Sequence, residues 1–122
     1  MAKILMVDDS NTSRRILGGI LKRAGHEIVG EGENGEDGYI KFKYLHPDLV
    51  TLDITMPKMD GLEALKLIRK ADEHAKVILI SAESQEQKMV EGLRYGASEF
   101  VLKPYDADEV IRVVDKVLSK PY

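Results

Sequence analysis

The chain has 122 residues, 43% of them hydrophobic, a length that supports one ordinary domain with a single core and no covalent staples. With no cysteine it has no disulfide framework, thiolate nucleophile or cysteine-ligated metal site. Its three histidines, His26, His46 and His74, never pair at helical spacing and read as surface or loop residues. A formal net charge of −3, with basic residues mixed among acidic ones, lacks the cationic footprint of an autonomous nucleic-acid-binding module. No apolar run reaches the about 20 residues of a membrane span, and the N-terminal run Ile4 to Val7 is too short for a signal peptide. The expectation is a soluble, cytoplasmic protein without direct nucleic-acid contact or membrane insertion.

The first element is an apolar strand over residues 3–7, ended by Asp8 and Asp9. A helix follows from about Asn11 to Ala24, with Ile16, Ile20 and Ala24 on one face, Leu17 and Leu21 widening it, and Gly25 as the stop. A second strand covers residues 27–30. The second helix starts near Asn34, a capping residue with Asp37 three positions on, and carries Ile40 and Tyr44 on one side. A third strand spans residues 48–52 and runs into Asp53. Leu62, Leu65 and Ile68 mark a third helix. A fourth strand over 76–80 leads to Ser81, and the fourth helix runs from about Ser84 through Met89, Val90 and Leu93 to Gly96. The fifth strand, residues 99–103, ends in Lys103 and Pro104. The last helix, 107–119, has Val110, Val113, Val114 and Val117 at three-to-four spacing.

Five strand–helix alternations, with strands that are nearly continuous apolar runs, point to an α/β fold: a doubly wound five-stranded parallel sheet covered by five helices, one domain over residues 1–122. Segment order alone leaves several doubly wound strand orders open. Gly18 and Gly19 interrupt the first helix and Gly38 the second. Each costs about 1 kcal/mol relative to alanine in an exposed helix interior, and the sequence offers no reason for them.

The chemistry lies in where charged residues fall. Asp8 and Asp9 follow strand one, Asp53 follows strand three, Ser81 strand four and Lys103 strand five. In an open parallel sheet the carboxyl edges of the strands line the ligand crevice, so these residues can converge there. Clustered carboxylates repel unless a proton or cation compensates them, and an oxygen-only set suits Mg2+. Three acids, a hydroxyl and an amine make a cage for a phosphoryl group and a divalent cation. Each residue also has an ordinary reading: Asp8 as a turn residue, Asp9 or Ser10 as a helix cap, Asp53 as a loop start, Ser81 as a cap, Lys103 as a solvated amine and Phe100 as core.

The words ILMVDDS (4–10), DITMPKMDG (53–61), ISAES (80–84), YGASEF (95–100) and KPY (103–105), in this order across almost the whole chain, resemble the response-regulator receiver family, most closely its stand-alone chemotaxis members. The resemblance implies a flavodoxin-like sheet of order 2-1-3-4-5. It implies phosphorylation of Asp53, with Lys103 and Ser81 contacting the phosphoryl oxygens. It further implies a Mg2+ site built from Asp8, Asp9, Asp53 and the Thr55 backbone carbonyl, with Mn2+ an alternative ion in vitro, and a cis Lys103–Pro104 bond.

By the same resemblance Phe100 is a switch aromatic, without the hydroxyl of the tyrosine that well-known chemotaxis members carry there, and Thr55 and Glu83 govern access of hydrolytic water. Tyr105 either shapes the output face or simply packs, and Arg14 and Arg15 form a solvated or kinase-facing helix surface. The implied function is a phosphorylation-activated switch of two-component signalling. Its donor is the phosphohistidine of a sensor histidine kinase, and its output is a flagellar-motor switch protein. Alternatives are a phosphorelay intermediary that passes the group to a histidine phosphotransfer protein, or the receiver part of a longer transcriptional or enzyme regulator. Such a chain catalyses its own phosphorylation and dephosphorylation but is primarily a switch, a monomer with transient phosphorylation-dependent dimerisation.

Overall fold

A computed structural model describes residues 1–121; Tyr122, the last residue of the expected domain, lies outside the described residues. The elements alternate as β1 (Lys3–Val7), α1 (Asn11–Arg23), β2 (Glu27–Gly32), α2 (Gly35–Leu45), β3 (Leu49–Asp53), α3 (Gly61–Ala71), β4 (Val77–Ala82), a 3-10 turn (Glu83–Gln85), α4 (Glu86–Arg94), β5 (Glu99–Lys103) and α5 (Ala107–Leu118). The five strands are parallel in the order β2-β1-β3-β4-β5. This is the flavodoxin-like arrangement expected from the resemblance.

Strand pleating sends alternate side chains to opposite faces, so each strand serves two cores. On one face Ile4, Met6, Leu49, Ile78, Ile80 and Val101 pack with Leu17, Ile20 and Leu21 of α1 and the four valines of α5. On the other, Leu5, Val7, Val50, Leu52, Val77 and Leu79 meet Ala64, Leu65 and Ile68 of α3, with Tyr39, Phe42 and Met89 at the margin. The expected strand boundaries move at the site. β3 and β4 extend to include Asp53, paired with Ile80, and Ser81, paired with Leu102. Backbone pairing does not require apolar side chains, so the ladder continues past the point where the hydrophobic pattern ends.

Three helix faces differ from the expectation. Ile16 on α1 is exposed, and the inward stripe is Leu17, Ile20 and Leu21. On α2, Ile40 and Tyr44 point to solvent while Tyr39 and Phe42 pack inward. On α4, Val90 and Leu93 are largely exposed, and the helix meets the sheet through Met89 and Gly92; a Cβ on Gly92 would lie 2.2 Å from Leu79 Cδ1. Gly38 has the same explanation, since a Cβ there would sit 2.7 Å from Val7 Cγ1. At Gly18 the Met6 methyl would be 3.2 Å away, whereas Gly19 faces only the Arg23 guanidinium at 3.6 Å and has no packing reason.

Helix starts are capped by side chains satisfying otherwise orphan amides: Ser10 for α1, Asn34 for α2, Asp60 for α3 and Asp106 for α5. No helix among the described residues is long and apolar enough to cross a membrane.

Candidate functional site: an acidic cluster at the carboxyl edge of the sheet

β1 and β3 are adjacent, so their last residues emerge side by side. Asp8, Asp9 and Asp53 each offer a carboxylate oxygen within 4.8 Å of the others. Asp8 and Asp53 are buried, at 4% and 6% exposure, while Asp9 is exposed. The local backbone fixes them. Asp8 donates its amide to the Gly32 carbonyl at 2.9 Å, and its Oδ1 accepts from the Ser10 amide at 3.0 Å. Ser10, not Asp9, caps α1 by accepting from the Ser13 amide, which leaves the Asp9 carboxylate free for the cluster. Beneath Asp53 the start of α3 approaches so closely that a Cβ on Gly61 would lie 2.1 Å from the Asp53 carbonyl oxygen.

Lys103 reaches into the cluster from the end of β5, with Nζ 3.1 Å from Asp8 Oδ2 and 3.4 Å from Asp53 Oδ2. The electrostatics follow from this arrangement. Burial, then the neighbouring Asp8 charge, push Asp53 up to about 7, against the opposing pull of Lys103. Burial also pushes Asp8 upward, but the nearby Ser13 hydroxyl, the hydrogen bond from the Ser10 amide and the Lys103 charge outweigh it and hold Asp8 below the usual carboxylate range. Burial disfavours the Lys103 ammonium, and the two carboxylates more than restore it, so its pKa is raised. The site thus holds Asp8 ionised, Lys103 charged and Asp53 poised between its two forms near neutrality.

The donor set fits Mg2+. It consists of oxygens only, two carboxylates are buried, and Asp8 Oδ2 is buried without an aligned hydrogen-bond donor, so it keeps lone pairs for a cation or its water.

The remaining expected residues sit around this centre. Ser81 is fully buried, and its hydroxyl donates to the Ala82 carbonyl at 2.9 Å. Thr55 is exposed, and its hydroxyl accepts from the Gln85 side-chain amide. Glu83 is exposed in the 3-10 turn. Phe100 is half-buried against the α3 side of the core, and the Lys103–Pro104 bond is cis.

Arg14 corrects the expectation of a solvated face. It is buried at 7% exposure, donates to the Asp8 carbonyl and Asn11 Oδ1, and meets Glu31 Oε1 at 2.8 Å, whereas Arg15 is exposed. Sequence reasoning missed this clamp because an arginine beside a second arginine on a helix reads as surface. It also missed Gln85, whose Oε1 accepts from the Ala82 amide at 2.8 Å and which thereby bridges β4 to Thr55. The third omission was Ser13, whose hydroxyl lies 2.8 Å from that of Tyr105.

Residues 4–115 match the model of the response regulator receiver domain. The chain is 42% identical over 115 residues to the chemotaxis protein CheY of Thermotoga maritima, covering 94% of this chain and 96% of that protein. It is 43% identical over 117 residues to the chemotaxis protein CheY of Bacillus subtilis, covering 96% and 98%. Among solved structures it resembles one of the CheX–CheY–BeF3–Mg2+ complex from Borrelia burgdorferi, with a TM-score of 0.91 and 42% identity, covering 97% of this chain and 90% of that one. Asp8, Asp9 and Asp53 form a cluster able to hold a metal ion, and that Borrelia burgdorferi complex contains Mg2+. Sequence, fold and acidic edge agree, and the chain belongs to the response regulator receiver domain family.

Proposed function

We propose that residues 1–122 act as one phosphorylation-driven switch in chemotaxis-linked two-component signalling, with Asp53 as the phosphoacceptor. The observation that carries this reading is the placement of Asp53 beside Asp8 and within 3.4 Å of the Lys103 ammonium, at the edge where three strand ends converge. The ionised Asp53 carboxylate attacks phosphorus of a phosphohistidine on a sensor kinase. The new P–O bond forms as the P–N bond breaks, and the imidazole leaves with the released electron pair. Asp8, Asp9, Asp53 and the Thr55 carbonyl would hold Mg2+, which neutralises charge on the phosphoryl oxygens when bound; Mn2+ offers the same chemistry in vitro.

Lys103 contributes the second positive charge. It exchanges its pairing with Asp53 Oδ2 for a phosphoryl oxygen once that carboxylate becomes an acyl phosphate. Ser81 would turn to donate to another phosphoryl oxygen, giving up the Ala82 carbonyl. Phe100, on the adjacent strand, then repacks, and the α4–β5–α5 face changes its preference among partners as a shift of population between two states. A flagellar-motor switch protein fits the chemotaxis proteins to which the chain is similar. Water later attacks the same phosphorus and releases inorganic phosphate. Thr55 and Glu83, both exposed at the mouth, control its access.

The direct test is intact-protein and peptide mass spectrometry after incubation with a small phosphodonor and Mg2+. A labile adduct on Asp53, lost with EDTA and in Asp53→Asn, is the expected result. An unmodified wild type, under conditions that label an active receiver, would overturn the proposal.

A further inference from the structure

β1 and β5 are separated in the sheet by β3 and β4, so no direct strand pairing joins the loop carrying Asp8 to the end of β5 carrying Lys103 and the loop that follows it. Phosphoryl transfer nevertheless needs the two in fixed relation. Besides the Lys103–Asp8 ion pair, a hydroxyl contact joins these loops. Ser13, buried in the first turn of α1, has its Oγ 2.8 Å from the hydroxyl of Tyr105, two residues beyond Lys103. The Tyr105 ring packs against the core shared by α1 and α5, so its hydroxyl is presented toward α1.

Either hydroxyl can donate across this contact, and in both arrangements it ties Tyr105 to α1. The Ser13 hydroxyl also helps to hold the Asp8 pKa down, so it acts on both Tyr105 and the Asp8 carboxylate. The Tyr105–Ser13 contact and the Asp8–Lys103 ion pair at 3.1 Å thus link the same two chain segments at two points. Both hydroxyls are satisfied, as groups shielded from water require.

We propose that the Tyr105–Ser13 pair is a positioning brace that holds the β5–α5 loop against α1, and so sets Lys103 for phosphoryl transfer. The inference rests on the phosphoryl-transfer reading above and adds to it two residues that contact neither the phosphoryl group nor the metal. Without the brace the acids and the β5 backbone stay in place, but the ammonium is positioned only by its pairs with Asp8 and Asp53. The effect therefore falls on the rate of transfer rather than on metal affinity.

The experiment compares wild type, Tyr105→Phe, Ser13→Ala and the double variant, each verified as folded by its thermal melt. In metal-free protein, amide hydrogen exchange at Lys103, Tyr105 and Asp106 is read first. The phosphorylation rate from a small phosphodonor at saturating Mg2+, and the Mg2+ Kd by calorimetry, follow. Tyr105→Phe is expected to speed exchange at these amides and to slow phosphorylation about three- to tenfold, the net worth of one hydrogen bond, with the Mg2+ Kd within about twofold of wild type. In the Ser13→Ala background the Tyr105 change should add nothing, because the pair is one interaction. Equal rates and exchange in wild type and Tyr105→Phe, or additive effects of the two changes, would overturn the brace. A wild type that never labels would instead overturn the phosphoryl-transfer reading, leaving the exchange comparison to judge the brace.

Discussion

Asp53 is buried beside a second carboxylate, and the consequences can be followed through its proton. An ordinary aspartate has a pKa of 3.8, and burial followed by the Asp8 charge moves Asp53 to about 7. The folded, metal-free protein therefore retains a proton that the unfolded chain releases. The stability linked to that proton is fully present below about pH 4 and is lost as pH rises toward 7. Replacing Asp53 by Asn removes the buried charge, so its stabilising effect is expected to be larger at pH 8 than at pH 4.5. Urea midpoints of metal-free wild type and Asp53→Asn at the two pH values measure this, and an equal difference at both would show that Asp53 titrates normally. Lys103 supports the opposite inference. It already neutralises the acids that a cation must share, at 3.1 and 3.4 Å. Lys103→Met should bind Mg2+ about three- to tenfold more tightly, by removal of like-charge repulsion at a partly screened site, while phosphorylation at saturating Mg2+ falls by at least about tenfold. Calorimetry and quench-flow labelling separate the two effects.

At the scale of elements the helices differ in how openly they declare their buried faces. The valines of α5 and Leu62, Leu65 and Ile68 of α3 repeat at helical spacing and are buried as the pattern requires. α2 and α4 are misread because part of their contact with the sheet is made by glycine, which leaves no hydrophobic mark: Gly38 lies on Val7 and Gly92 on Leu79. The meeting of the three acids with Lys103 was legible because strand ends in a parallel sheet share one edge. Arg14, Gln85 and the Ser13–Tyr105 pair were not, since their roles depend on contacts between loops that sequence spacing does not encode. The glycines make a paired prediction. Gly38→Ala gains helix propensity of about 1 kcal/mol but forces a methyl to within 2.7 Å of Val7, an overpacking that costs about 1–3 kcal/mol; net destabilisation is expected. Gly19→Ala meets only Arg23 at 3.6 Å and should stabilise by up to about 1 kcal/mol. Thermal melts in which Gly38→Ala is the more stable variant would contradict the close-packing explanation.

For the molecule as a whole, metal binding, protonation and folding are one linked equilibrium, because the acidic cluster is assembled from the ends of strands that are apart in the chain and adjacent only when folded. The unfolded chain has no such site, so Mg2+ stabilises the folded state by mass action, growing as RT ln(1 + [Mg2+]/Kd). Its affinity carries the Asp53 proton with it. Above about pH 7 the carboxylate is already ionised, whereas below it the cation must displace a proton, and affinity falls by approaching tenfold for each pH unit. A fixed millimolar Mg2+ concentration should therefore raise the thermal midpoint more at pH 8 than at pH 5.5. Differential scanning calorimetry at the two pH values, with and without Mg2+, reads this directly. In Asp53→Asn the shift should be small at both, since one ligand and the titrating group leave together. If wild type gained equally from Mg2+ at pH 5.5 and pH 8, the cation would be binding without displacing the Asp53 proton, and the coupling of the acidic cluster to the fold would have to run through Asp8 and Asp9 alone.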